Sequence, residues 1–461
     1  VGYLADSVAR GWAYSALAGA HRQAARDVDG DGWADLAGYE RGVLRPRAFW
    51  SDGAGASAFL TVGATLEDRT GGTLRGRTAP DGEAFIEGLR TSRLDAGAVA
   101  RAVRGNSLFA VRGSVTHQAH RHRYGSVRER DRHLTSFGEA SWTNAGSVVT
   151  TVLGAAVQQD AYRAHDVEGF DYTFTVPGLF AQVEYSSVEW LALSMSARAD
   201  HHSEYGGSVS PRVSALLRGG GWTLRSSAGG GVFGPTPFTE ETEVVGLAQV
   251  VPPRDLRVER AWGASVDVGR LIGALELNAT AFASTIDHAV VAREATDRRI
   301  ELLNAPVPTR THGTELLARY RREPVAVTAS YVLMRSTEFD AERGEPRAAP
   351  LTPRHTASLV AFLEEHDVGR AGVELYFTGP QLVDENPYRR RTPAYLIVGL
   401  LAERRFGPAR VFVNGENLLG VRQTEHDPLL LPARGGGGRW TTDVWAPLEG
   451  RTVNGGVRLT F

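Results

Sequence analysis

Four stretches of the chain concentrate side chains able to hold an ion or a ligand. The run 27–35 (DVDGDGWAD) sets Asp27, Asp29, Asp31 and Asp35 at the first, third, fifth and ninth positions of a calcium-type loop, with Gly32 at the sixth. Carboxylate oxygens at alternate positions suit a hard cation. The twelfth position is Gly38 where such a loop carries a bidentate Glu, although Glu40 is nearby. Asp-Gly pairs also make good turns, so a purely structural loop is the competing reading.

The strongest basic stretch is 117–133 (HQAHRHRYGSVRERDRH), where His117, His120, His122 and His133 stand among Arg121, Arg123, Arg128, Arg130 and Arg132, beside Tyr124. On a strand that runs into a loop over 120–131, alternate members share a face and offer cationic donors to an anionic ligand. A solvated charge cluster is the alternative. Two or three of the histidines could coordinate a metal, but their spacing alone does not bring the nitrogens together, so no metal site is assigned.

The third stretch, 158–175, combines Tyr162, His165, Phe170, Tyr172 and Phe174 with Asp160, Asp166 and Asp171. The fourth, 233–242 (FGPTPFTEET), has Pro235 and Pro237 stiffening a loop that carries Phe233, Phe238, Glu240 and Glu241. Aromatic and charged groups at the mouth of a wide opening suit a ligand too large to diffuse freely; ordinary loop packing is the alternative for both. The candidate ligand contacts are Arg121, Arg123, Tyr124, Tyr162, Tyr172, Phe233, Phe238 and Glu240. No catalytic residues are assigned, because there is no G-x-S-x-G or phosphate-binding loop and the acids and histidines are scattered.

The elements that position these groups alternate with period two. In 272–284 (IGALELNATAFAS), Leu275, Leu277, Ala279, Ala281 and Ala283 share one side and Glu276, Asn278, Thr280 and Ser284 the other, with Phe282 misplaced on the polar side. The segments 56–67, 324–336 and 452–461 repeat the pattern. One face meets something oily and the other something wet. The chain divides into about 20 such strands between 11–22 and 451–461, joined alternately by short turns and long polar loops. Closure into a barrel follows, since an open edge in hydrocarbon leaves backbone groups unpaired at several kcal/mol each. Trp50, Tyr185, Trp190, Trp222, Tyr331 and Phe461 stand near segment ends, where interface girdles form. A propeller is the fold alternative, but its blades would not alternate short with long connections.

Composition agrees with this all-β reading. The 461 residues include 53 Gly, 2 Met and no Cys, which excludes disulfides, thiolate metal sites and Cys nucleophiles. A net charge of -2 gives no whole-chain signature of nucleic-acid binding. The sequence from Val1 shows no basic segment, apolar core and cleavage site, so a secretory signal is absent here or was removed before residue 1, and no apolar run is long enough for a membrane helix.

The sequence resembles the β-barrel of TonB-dependent outer-membrane receptors. The resemblance rests on 209–215 (VSPRVSA) leading into 233–242, on 303–318 (LNAPVPTRTHGTELLA), 351–355 (LTPRH), 411–419 (VFVNGENLL) with Glu416, Asn417 and Leu418, and on the ending 446–461 with its terminal Phe461. It implies a large antiparallel transmembrane barrel of 22 strands in the bacterial outer membrane, a plug in the lumen and an inner-membrane energy-transducing partner. Residues 1–461 are then a single barrel domain, beginning after the plug and after the first hairpin. Members bind ferric siderophores, haem or vitamin B12. After Thr236, Pro237-Phe238-Thr239-Glu240-Glu241 replaces the Asn-Pro-Asn-Leu segment of haem receptors, which lowers the case for haem. The basic and aromatic loop groups suit an anionic chelate, so a ferric siderophore or similar large nutrient is the expected ligand, with no cofactor. The other expected partners are outer-membrane lipid and lipopolysaccharide, the latter facing the basic stretch. The protein is expected to be monomeric and not an enzyme. A porin-like passive barrel or an adhesion barrel is the functional alternative.

Overall fold

The computed structural model describes residues 2–8, 11–365 and 367–459. They form an antiparallel sheet of 22 strands and a separate two-stranded hairpin, Val290–Glu294 with Ile300–Asn304. The sheet is a meander in which consecutive strands pair, except that the four-residue Glu345–Ala348 strand folds onto the upper end of Val325–Asp340. The sequence reading missed this short strand and also Gly2–Val8, which pairs along its whole length with Trp12–Ala18. Among the described residues the first strand pairs only with the second, and the last, Thr452–Leu459, only with Ala409–Glu416.

Connections alternate as expected, with tight turns such as 105–106 and 407–408 at one rim and long loops, including 24–37, 234–258 and 417–451, at the other. The expected loop over 120–131 is absent. Strands Ser107–Tyr124 and Val127–Ala145 pair all the way to Tyr124↔Val127 across a turn in which Gly125 takes φ 62°. Charge misled the reading, because a run of Arg and His looks like a loop although each second residue can leave the sheet into water on its own side.

Cross-strand register keeps each face intact from strand to strand. Leu44, Leu66, Leu94 and Val111 lie exposed on one face. Their sequence neighbours Arg45, Glu67, Asp95 and Arg112 occupy the other, where Arg45 makes two bonds to Asp95 at 2.8 and 2.9 Å, Arg41 pairs with Glu67, and Arg112 meets Glu139 at 2.8 Å. An exposed aliphatic face backed by an ion-paired face is the pattern of a barrel with lipid outside and a polar lumen inside. Gly63 lies between Arg45 and Asp95 on the inner face; a Cβ there would sit 2.5 Å from Arg45 Nη2, so only glycine lets the guanidinium cross the intervening strand.

The misplaced Phe282 is explained by its neighbour. It lies directly opposite Gly313 on the inner face and its ring covers the bare backbone, as Phe180 covers Gly154. This is a known way of stabilising glycine in sheets. Tyr185 and Trp222 are exposed on the outer face near the short turns, and Trp50 is half-buried there beside Trp12 with ring centroids 6.5 Å apart. Trp190 sits in a short turn, Tyr331 bonds His355 at 2.7 Å nearer the long loops, and Phe461 lies outside the described residues.

Among the described residues the barrel wall has no apolar core of its own; the buried hydrophobic clusters form in the long loops, one of them against the wall residue Tyr162. One joins Tyr162, Phe170, Val245, Leu247, Val250, Ile300 and Leu302. A second joins Trp33, Ala79, Phe85 and Trp440. A third joins Val383, Trp445 and Ala446. Loop folding is therefore driven by burial among loops and rests on a wall held by backbone hydrogen bonds.

Candidate functional site

At the long-loop end, the inner face of five consecutive strands carries a row of rings. Alternation puts His120, His122 and Tyr124 on one strand, His133 on the next, then Tyr162, then Tyr172 and Phe174, then His202, with Tyr205 in the following turn. Successive centroids lie close: His120 to His122 5.7 Å, His122 to Tyr124 6.0 Å, His133 to Tyr162 5.9 Å, Tyr162 to Tyr172 5.8 Å, Tyr172 to Phe174 4.5 Å, Phe174 to His202 4.8 Å and His202 to Tyr205 4.8 Å. The arc is therefore a property of cross-strand pairing, and no one stretch of sequence contains it.

Carboxylates lock the imidazoles. Asp131, buried on the neighbouring strand, bonds His120 Nδ1 at 2.8 Å through Oδ1 and His122 Nε2 at 3.0 Å through Oδ2. Asp160 holds His133 Nε2 at 2.5 Å. Donor atoms of His120, His122 and Asp131 lie within 4.8 Å of one another, a two-His, one-carboxylate set suited to a transition metal. With both Asp131 oxygens engaged by rings, the set also closes on itself as a hydrogen-bonded unit.

Loop 234–258 is clamped onto one part of this arc. Its short helix Glu240–Val245 is capped by Thr239, whose side chain accepts from Thr242 N, while Thr242 Oγ1 accepts from Thr239 N at 2.8 Å. Glu129, buried on the wall, accepts from Leu247 N at 2.9 Å and Ala248 N at 2.8 Å, and Tyr124 donates its hydroxyl to Glu243 O at 3.1 Å. Phe238 packs edge-on to Tyr162 at 4.7 Å. Beyond the clamp opens a cavity of about 880 Å³, lined among others by Asp160, Phe174, Arg198, Asp200, His202 and Phe233. Its mixed aromatic and charged wall can take a large ligand with flat apolar surfaces and polar edges.

Of the residues singled out from sequence, Tyr124, Tyr162, Tyr172, Phe233, Phe238 and Glu240 come together in and around this arc. Phe233 is 58% exposed beside the cavity, whereas Tyr162 is 4% exposed beneath the loop. Glu240 is exposed in the first helical turn. Arg121 and Arg123 do not join them. They share the parity of Phe109, Val111 and Val115 and so lie on the outer face, where Arg121 stands opposite both Arg90 and Arg130, and Arg123 opposite Arg128. The expectation that cationic donors enter the lumen is corrected: period two sends His120, His122 and His133 inward, and His117 with the arginines of this stretch outward. Sequence reasoning also missed Glu129, Asp131, Arg198, His202 and Tyr205. Alternation through Arg198, Asp200 and His202 was the available signal; Asp131 and Glu129 could be recognised only once the strand register was known.

The comparisons with known proteins agree with this architecture. No curated protein matches the sequence. The siderophore receptor PirA from Acinetobacter baumannii superposes with a TM-score of 0.76 at 12% identity, covering 100% of this chain and 77% of that one. The ferric yersiniabactin uptake receptor FyuA from Yersinia pestis gives 0.74 at 14% identity, again covering 100% and 77%. The FrpB iron transporter from Neisseria meningitidis gives 0.74 at 11% identity, covering 97% and 77%. At these identities the likeness is one of fold. The sequence itself matches the family described as TonB dependent receptor-like, beta-barrel, over residues 6–418. The chain thus belongs to the TonB-dependent receptors, barrels of the bacterial outer membrane that serve transport and not catalysis.

Proposed function

We propose that residues 1–461 are the barrel domain of a receptor that captures a ferric siderophore, or a nutrient of similar size, at the long-loop rim and passes it inward under drive from a TonB-type partner. The carrying observation is the inner-face arc of His, Tyr and Phe rings beside the 880 Å³ cavity. Aromatic faces and ring edges give broad contact area at low entropic cost. Tyr172, Phe233 and Glu240 supply direct contacts in this reading, while Tyr124, Tyr162 and Phe238 hold the loop that frames them.

The test is binding by the protein folded in detergent to a panel of ferric chelates, haem and cobalamin under matched conditions. Saturable binding of a ferric chelate is expected. Tyr172→Ala and Phe233→Ala should each weaken it roughly tenfold, about 1.4 kcal/mol. Binding of another nutrient alone moves the substrate class, and no saturable binding favours a passive or adhesive barrel. For the complete receptor, uptake that persists after energy uncoupling refutes active transport.

Arg121 and Arg123 support a second, separate role. Together with Arg90, Arg128, Arg130 and Arg132 they make a cationic outer surface at the long-loop end, which suits the phosphates of lipopolysaccharide. In this reading Arg121→Ala with Arg123→Ala leaves nutrient affinity intact and lowers retained lipopolysaccharide; unchanged retention refutes it.

A further inference from the structure

The loop between strands Trp12–Gln23 and Gly38–Ser51 is the feature that the receptor reading leaves unused. Its acidic residues turn inward around their own backbone. Asp27 accepts from Gly30 N at 2.6 Å and Gly32 N at 2.9 Å, Asp29 from Asp31 N at 3.2 Å, Asp31 from Trp33 N at 2.7 Å, and Asp35 Oδ2 from Val28 N at 2.6 Å. Carboxylate oxygens of Asp27, Asp29 and Asp35 fall within 4.8 Å of one another. Such a cluster alone says little, since acidic turns are common.

A second observation separates this one from an ordinary turn. Asp35 is 7% exposed, and its Oδ1 is buried with no hydrogen-bond partner among the described residues. A buried carboxylate oxygen without a donor costs several kcal/mol unless it is neutralised. Protein donors are not supplied to it, although the chain runs tightly around the site.

We propose that residues 27–35 bind a calcium ion through the carboxylates of Asp27, Asp29 and Asp35. Asp31 occupies the fifth position of the loop pattern and the Trp33 carbonyl the seventh, where a main-chain oxygen serves. Three clustered carboxylates favour calcium over magnesium, which retains several waters and demands near-octahedral geometry. Gly38 in place of the twelfth-position Glu removes a bidentate ligand and sets the affinity in the range of extracellular modules, about 10⁻⁴–10⁻³ M.

The consequence reaches beyond the loop. Trp33, at the seventh position, is 2% exposed and packs with Phe85 at 6.0 Å in the cluster completed by Ala79 and Trp440. Ala34 N donates to Gly72 O and Leu74 N to Gly32 O. An ion at 27–35 would therefore fix a loop on which rim segments from opposite ends of the chain converge.

The test uses the full chain folded in detergent and terbium as the probe. Trp33 should sensitise terbium emission, calcium should displace the ion competitively, and millimolar calcium should slow proteolysis of loops 24–37 and 73–85. Asp27→Asn with Asp35→Asn should abolish both effects while heat-modifiable gel mobility shows the barrel still folded. Trp33→Phe should lose sensitised emission yet keep the calcium-dependent protection. Emission and protection unchanged in the double variant, or no competition by calcium up to about 10 mM, well above the upper end of that range, overturns the proposal.

Discussion

Replacing Arg389 by Met should release the two loops that close over one side of the barrel mouth. Arg389 Nε bonds the Asp427 carboxylate at 2.7 and 2.5 Å, its Nη2 reaches His426 O at 3.2 Å, and the guanidinium lies 5.6 Å from the Trp445 ring. The Asp427 side chain is 0% exposed and that of Arg389 23%. Without the guanidinium, Asp427 keeps only Asn386 Nδ2 at 3.4 Å and Trp445 Nε1 at 3.3 Å, both long and neutral. Removing one partner of a buried pair costs about 3–5 kcal/mol, because the remaining charge stays desolvated. That raises the local opening equilibrium by about 10² to 4 × 10³ at 1.4 kcal/mol per decade. Amide exchange followed by mass spectrometry on protein in detergent should show the loss of protection in 380–394 and 423–446, and not in the wall strands. Adding Asp427→Asn removes the orphaned charge and should restore more than half of the lost protection. A change below about 1 kcal/mol, the range of exposed pairs, or a double variant as labile as the single one, refutes the reasoning.

Gly63→Val should lower the yield of folded barrel and cost about 1–3 kcal/mol, because the new side chain occupies the space through which Arg45 reaches Asp95; refolding yield by gel mobility checks it. Glu129→Leu should free loop 234–258 by removing two charge-assisted bonds to Leu247 and Ala248, about 1.5–3 kcal/mol each at most, seen as accelerated proteolysis within 240–258. The Arg130 guanidinium beside Asp166 holds that carboxyl below the ordinary range. Its folded-state pKa lies under the unfolded one, so the small stabilisation is complete above about pH 4 and disappears as pH falls through the lowered value. Arg130→Ala should return the Asp166 carboxylate infrared band to ordinary titration.

Sequence alone determined the wall. Period-two alternation, as in 272–284, is imposed by strand geometry and by the need to show lipid and water different faces, and each strand states it locally. The alternation of short and long connections and the family match belong to the same level. The two features that looked irregular in one dimension became regular in three. Phe282 broke the pattern because its reason, the bare backbone of Gly313, lies on another strand. The 120–131 run looked like a loop because its charges conceal a strict division, histidines to the lumen and arginines outward. The site belongs to the tertiary structure. His120 and His122 meet Asp131 only through the register of two strands, Glu129 finds loop 234–258 across more than a hundred residues, and Asp35 Oδ1 is left without a partner only because the chain buries it. Register, burial and loop docking depend on contacts distant in sequence, which no local pattern encodes.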